Sequence, residues 1–220
     1  LSSGVQDAAF YLDMWAKLQQ KGSWQGELFN RRKSGEMFPQ WININAAHNN
    51  SGQVLSYVAM FSDVSRLMRA EQRLAYLAHY DTLTNLPNRH LFGDRLAQAL
   101  EVGKRHLTPF AVMFIDLDCF KQINDTHGHY AGDRVLQEAA RRIQGAVRAV
   151  DTVARLGGDE FVVILTQLDS DRVRAANQTK EVGRKILEQL NLPYKLVDEE
   201  YLCSASIGIT LFDGRECIED

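Results

Sequence analysis

Arg155-Leu156-Gly157-Gly158-Asp159-Glu160-Phe161 sets two glycines and two carboxylates between short apolar segments, Thr152 to Leu156 before them and Phe161 to Leu165 after. Both flanks have strand composition, and Gly-Gly supplies the positive φ angles of a tight turn, so the stretch reads as a β-hairpin with acids at its tip. Backbone without Cβ atoms also lets a ligand come close. Two adjacent acids on a turn are commonly no more than a solvated tip. The sequence upstream raises the functional reading.

Phe110-Ala111-Val112-Met113-Phe114-Ile115 is uniformly apolar, as a central strand should be, and it ends in Asp116-Leu117-Asp118. With a side-chain period of two, Asp116 and Asp118 point to one face. Asp118 is placed to cap the helix that begins near Phe120. Asp116 has no such use, and a carboxylate where a strand leaves the core needs donors or a cation. A hard divalent ion such as Mg²⁺ takes oxygen ligands from one or two carboxylates together with substrate phosphates. If the hairpin lies beside this strand, Asp116, Asp159 and Glu160 converge on such an ion, and helix-start amides around Cys119, Phe120 and Lys121 can meet the phosphates.

Downstream, Asn124 and Asp133 bracket the Gly128-His129 turn. An amide and a carboxylate together match guanine, whose N1 and N2 hydrogens suit Asp133 and whose O6 and N7 accept from Asn124. The plainer reading makes both of them helix caps and His129 a surface histidine.

Working outward, the chain alternates helices and strands from Asp81 on, which argues an α/β domain. Helices are expected over Asn88 to Lys104, Ala131 to Val150 and about Asp171 to Leu190. Two late strands, Tyr194 to Val197 and Leu202 to Phe212, are expected across the turn Asp198-Glu199-Glu200. The first third reads differently: a short helix over Ala8 to Gln20, then strands Trp24 to Arg32, Met37 to Ala47 and Val54 to Phe61 in an antiparallel sheet. Between the two parts, Asp63 to Tyr80 is a connecting helix whose Val64, Leu67, Leu74 and Leu77 form an apolar stripe. Fewer than three heptads leave open whether it is a dimeric seam or the buried face of a surface helix.

The 220 residues carry a formal charge of -3, which gives no electrostatic footprint for nucleic acid or an anionic membrane. Cys119, Cys203 and Cys217 lack zinc-site spacing and fit a reducing compartment. The thiols place the expected setting in the cytoplasm; no apolar run is long enough to span a bilayer, so this piece is expected to be soluble, with a longer parent free to be anchored at the inner membrane.

Three stretches in order, Asp81-Thr82-Leu83-Thr84-Asn85-Leu86-Pro87-Asn88-Arg89, then Asp116-Leu117-Asp118 with Phe120-Lys121 and Asn124-Asp125, then Gly157 to Phe161, resemble the signatures of GGDEF-domain diguanylate cyclases. Ser204-Ala205-Ser206-Ile207-Gly208 is similar to the family's late strand. The resemblance implies a palm-like, ferredoxin-like fold related to nucleotide cyclases. It also implies a reaction in which two GTP give cyclic di-GMP and two pyrophosphates. Carried over by position, Asp116 and the Leu117 carbonyl would hold Mg²⁺ (or Mn²⁺) with Asp159 or Glu160, and that acidic pair would help deprotonate the attacking ribose hydroxyl. Asn124 and Asp133 would bind guanine with His129 nearby, while Cys119, Phe120 and Lys121 would line the phosphates. Arg148-Ala149-Val150-Asp151 matches the family's inhibitory motif for product, although an Arg and an Asp three apart also make local ion pairs.

Gly22 to Glu27, Asn30 to Glu36 and Phe61 to Ser65 resemble the later half of a PAS sensor domain. The implied organisation is a partial PAS domain over residues 1–63, a linker helix over 64–80 and a GGDEF domain over 81–220 that lacks its last helix and strand. That helix in the family carries a Lys and an Arg for the triphosphate, so the piece itself is expected to bind GTP weakly. The active species is expected to be a homodimer through the linker helix and PAS region, with an EAL phosphodiesterase domain as a further C-terminal neighbour. The competing reading is a catalytically silent GTP-binding domain that regulates such a phosphodiesterase.

Overall fold

The computed structural model describes residues 4–118, 120–196 and 199–213, and the chain divides between Ala75 and Tyr76 into two compact units. In the first unit, helix α1 (Ala8–Lys21) starts at Asp7, whose carboxylate accepts from the Phe10 amide at 2.8 Å, and stops at Gly22, which takes φ 73°. Strands β1 (Ser23–Arg31), β2 (Met37–His48) and β3 (Val54–Asp63) form an antiparallel sheet in that order. Met14 and Leu18 of α1 pack on Ile44 with Trp24 and Ile42 beside them. Every residue of β3 is exposed, including Leu55, Met60 and Phe61. Arg32 ties the β1–β2 turn to the end of β3 through Asp63 and pairs with Glu36 at 3.2 Å. Helix α2 (Ser65–His79) follows, with Leu67, Leu74 and Leu77 exposed.

The second unit is built on a four-stranded sheet, β5-β6-β4-β9, with every neighbouring pair antiparallel. Its strands are β4 (Phe110–Leu117), β5 (Thr152–Gly157), β6 (Glu160–Leu165) and β9 (Ala205–Phe212). Helices α5 (His129–Ala146) and α6 (Arg172–Leu190) cover one face: Val135, Leu136, Ala139, Ala140, Ile143, Ile186 and Leu190 pack with Ala111, Met113, Ile115, Phe161, Val163 and Leu165. Helix α3 (Arg89–His106) covers part of the other face, where Phe92 meets Phe110, Val112, Ala154, Val162 and Ile164.

The row Phe110, Val112, Phe114, Asp116 of β4 therefore begins under α3 and ends in the open: Phe114 is 53% exposed, and Asp116 is exposed as well. That uncovered end of the sheet is the ground on which the acids stand.

The late region departs from expectation. Tyr194 does open a strand, β7 (Tyr194–Leu196), but its partner is the separate short strand β8 (Glu199–Tyr201). The segment expected as one strand from Leu202 starts at Ala205, because Cys203 turns inward to the core and the chain must change sheets there. Asp198 lies outside the described residues. Helix α5 starts two residues earlier than expected, at His129, and stops at Ala146 instead of Val150, where residues 149–151 form a turn.

Beneath β7, the buried Arg142 lies over the Tyr194 ring and donates to the carbonyls of Leu192 and Pro193 at 2.6 and 2.7 Å. It also pairs with Glu138 at 2.9 Å. Arg141 and Arg142 hold the Glu138 carboxyl down at about 2.

Candidate functional site

The glycine hairpin has the backbone that its sequence requires. Gly157 and Gly158 both have positive φ, 146° and 52°, and Gly157 pairs with Glu160 so that Gly158 and Asp159 form the tip. Its second strand runs beside β4, which sets Glu160 directly opposite Asp116. On the other side of β4, Ser206 of β9 is opposite Asp116. Partial desolvation at the strand end pushes the Asp116 carboxyl up although the side chain is exposed, and the neighbouring charges of Asp159, Asp118 and Glu160 push it further the same way. Three carboxylates thus crowd Asp116 at the strand end, and the one ion pair near them among the described residues is Arg89 to Glu160, at 4.0 Å between exposed side chains.

Asp118 is occupied differently from the expected helix cap. Ser204 and Ser206 donate their hydroxyls to its two oxygens at 2.7 and 2.9 Å, and its amide donates to the Ser204 carbonyl. The late strand therefore orients this carboxylate, which the strand-and-cap reading of residues 116–124 had no means to foresee. The Leu117 side chain is buried and its strand neighbour is Ala205.

Helix α4 (Phe120–His127) follows with Phe120 half-buried against the core, Ile123 buried and Lys121 exposed. Cys119, expected with the helix-start amides that meet the phosphates, lies outside the described residues. Asn124 reaches across to α5: a Cβ on Gly132 would stand 2.0 Å from Asn124 Oδ1 and 3.2 Å from the Phe120 ring. The side chain thus occupies the space that a glycine leaves open, next to Asp133. Asp133 and His129 are exposed at the start of α5, where Gly128 takes φ 81°.

The Arg148–Asp151 segment is a tight turn. Asp151 accepts from the Arg148 amide at 3.0 Å and from the Thr166 amide at 3.1 Å, and no ion pair joins the two side chains among the described residues. Both line a small cavity of about 170 Å³ with Thr166 and Gln178.

Sequence reasoning missed how the hairpin is held. The Arg155 guanidinium donates to the Gly158 carbonyl at 2.6 and 2.9 Å and to Asp81 Oδ1 at 2.9 Å, while its amide donates to the Pro87 carbonyl. Asp81 also accepts from the amide and hydroxyl of Thr84. Although burial works against its charge, these Thr84 and Arg155 bonds leave the Asp81 carboxyl below the usual carboxylate range. The available signal was an Arg at the base of an acidic turn and an Asp opening a turn-rich motif, but nothing local says that they meet across 74 residues.

Residues 78–220 match the profile of the diguanylate cyclase, GGDEF domain family. The bifunctional diguanylate cyclase/cyclic di-GMP phosphodiesterase MucR of Pseudomonas aeruginosa is 45% identical over 148 residues, covering 67% of this chain and 21% of its own length. Diguanylate cyclase TpbB of the same species is 45% identical over 151 residues, covering 67% of this chain and 33% of its own. This chain thus spans about a fifth to a third of these relatives.

Among solved structures, the isolated GGDEF domain of TpbB superposes with a TM-score of 0.57 at 44% identity, over 61% of this chain and 76% of that one. The coiled coil and GGDEF domain of DgcB from Caulobacter crescentus, in complex with c-di-GMP, gives 0.61 at 27% identity over 70% and 79%. The glycine hairpin beside an acidic strand end, on a sheet shared with these domains, makes the chain a member of the GGDEF diguanylate cyclase family.

Proposed function

We propose that this chain is the cyclase part of a protein that joins two GTP into cyclic di-GMP. In that reaction each ribose 3′-oxygen attacks the α-phosphorus of the other nucleotide, its proton leaves to a base, and the bond to pyrophosphate breaks, so two pyrophosphates depart. The observation that carries the reading is Asp116 lying directly opposite Glu160 on the uncovered end of the sheet, with its carboxyl pushed up by partial desolvation and three acidic neighbours. Such a donor set suits a hard divalent cation, Mg²⁺ or Mn²⁺, held by Asp116, the Leu117 carbonyl and Asp159 or Glu160. When bound, the ion neutralises phosphate charge and lowers the pKa of the attacking hydroxyl.

The chain's own residues do the rest. The free member of the Asp159–Glu160 pair takes the proton from the ribose hydroxyl. Asn124 and Asp133 hold the guanine edge, with His129 beside the substrate. Phe120, Lys121 and Cys119 receive the phosphates. One such site holds one GTP, so two copies face each other and proximity supplies much of the acceleration.

The exposed Leu67, Leu74 and Leu77 of α2 fit a dimer seam that brings the two sites together. The helix and three-stranded sheet of the first unit fit the later half of a PAS sensor over residues 1–63, with α2 as its output helix and the cyclase over 81–220. Arg148 and Asp151 are assigned to product inhibition, and Arg148→Ala should then raise the cyclic di-GMP concentration needed for half-inhibition. A cytoplasmic setting follows from the nucleotide substrate. An EAL domain further along the parent is in keeping with bifunctional MucR.

Incubating the full-length parent with GTP and Mg²⁺ and assaying cyclic di-GMP tests the core of this. The Asp159→Ala, Glu160→Ala double variant serves as control and should give no product. GTP binding without product in the unsubstituted protein would sink the cyclase reading and leave a regulatory GTP-binding domain.

A further inference from the structure

A cluster of side chains of metal-ligating type stands apart from the acids. His79, the last residue of α2, and His90 and Asp94 of α3 bring one ligand atom each to within 4.8 Å of the others. His90 and Asp94 are four apart and share one face of the helix. The His79 and His90 rings lie nearly parallel, at 26°, with centroids 5.4 Å apart.

Two further observations point to a ligand here. His79 Nδ1 is buried and has no hydrogen-bond partner among the described residues, an orphaned nitrogen of the kind native structures rarely leave unmet. The backbone around the cluster is also fixed in advance through a single residue. The Asn88 amide donates to the His79 carbonyl at 2.9 Å and its side-chain nitrogen to the Ala78 carbonyl at 3.0 Å, while its side-chain oxygen accepts from the His90 amide at 3.0 Å. Asn88 thereby locks the chain at His79 to the helix that carries the other two ligands.

We propose that His79, His90 and Asp94 form a binding site for a divalent first-row transition ion, Zn²⁺ being the reference, that fastens the last turn of α2 to α3. Two imidazoles and one carboxylate select Zn²⁺ and its neighbours over Mg²⁺, which favours oxygen ligands, so the site is chemically distinct from the one at Asp116. Tetrahedral Zn²⁺ with bonds of about 2.0–2.1 Å needs ligand atoms about 3.3 Å apart, a contraction of roughly 1.5 Å from the present span. His90 and Asp94 are exposed and can supply it by side-chain rotation. Water completes the coordination on the solvent side.

The test is a calorimetric titration of the whole chain with Zn²⁺ at neutral pH, with millimolar Mg²⁺ present throughout to occupy oxygen-rich sites. One equivalent should bind. His90→Ala and Asp94→Ala, both at exposed helix positions, should each weaken binding at least roughly tenfold, because even outer partners of a ligand cost about 10- to 100-fold. His106→Ala, on the same helix but outside the cluster, should bind as the unsubstituted chain does. Hydrogen exchange of amides 76–80 should slow on adding Zn²⁺, and Co²⁺ should give a visible absorption spectrum that His90→Ala abolishes. No Zn²⁺ binding to the unsubstituted chain, or equal affinity in the His90→Ala and Asp94→Ala variants, overturns the proposal.

Discussion

Gly132→Ala offers a sharp test of how α4 and α5 build a nucleotide pocket. The added methyl would be placed 2.0 Å from Asn124 Oδ1 and 2.9 Å from its Cγ, so the Asn124 side chain must leave. On helix propensity alone the substitution gains about 0.8–1.0 kcal/mol. Overpacking opposes it by roughly 1–3 kcal/mol, so the net expectation is a loss between about 0 and 2 kcal/mol. In an Asn124→Ala background only the Phe120 ring, 3.2 Å from the added methyl, still has to give way, so the same substitution should be neutral or stabilise by up to about 1 kcal/mol. The coupling between the two sites is then roughly 1–3 kcal/mol, readable from urea unfolding of the four proteins.

If Asn124 contacts guanine, its displacement leaves acceptors unpaired at a cost of about 1–3 kcal/mol, or roughly 5- to 150-fold in the dissociation constant of α,β-methylene GTP. The refuting result is a Gly132→Ala effect of equal size in both backgrounds, because Asn124 then does not fill that space.

Other perturbations separate the remaining parts. Asp116→Asn should raise the melting temperature without Mg²⁺, since it removes a like-charge pair across the strands worth roughly 0.2–1 kcal/mol. The Asp116 carboxyl is raised in the fold, so ionising it costs the folded state. The difference should therefore open as pH climbs from the unfolded value of about 3.9 through the raised one, and close in acid. A gap that does not vary with pH counts against the crowding argument.

Arg155→Ala should cost roughly 1–3 kcal/mol. Asp81 is lowered in the fold, so its contribution is present above about 3.9 and lost as pH falls through the folded value; the variant should flatten that acid limb in melting curves. Arg142→Ala removes the buried guanidinium from the half-buried Glu138, which keeps Arg141, and from four carbonyls, and should cost about 1–3 kcal/mol in chemical denaturation. A loss under 1 kcal/mol, roughly the value of an exposed pair, would show that this guanidinium is not structural.

Much of the second unit was legible because its signals are local. An unbroken apolar run ending in acids is β4, Gly-Gly at the hairpin has the positive φ expected of it, and helices begin within a residue of Asn88 and Asp171, where they are expected. What escaped is what depends on partners distant in sequence. Ser204 and Ser206, just before and within β9, claim Asp118, and Arg155 reaches Asp81, contacts with no periodicity to betray them. The late region was misjudged for a related reason: Glu199 and Glu200, expected in a turn, pair in β8 with β7, and Cys203 is drawn into the core, so the strand expected from Leu202 begins only at Ala205.

Arg155 gives the hairpin a property that its glycines alone would deny it. A Gly-Gly turn is backbone with few restraints, yet one planar guanidinium grips the Gly158 carbonyl twice and reaches Asp81 with a third bond. The acidic tip and the loop that begins just past α2 therefore move as one stiff piece. Any torque that reaches Asp81 arrives at Gly158 through three hydrogen bonds, and the flexibility of the glycines is spent on shape rather than on motion.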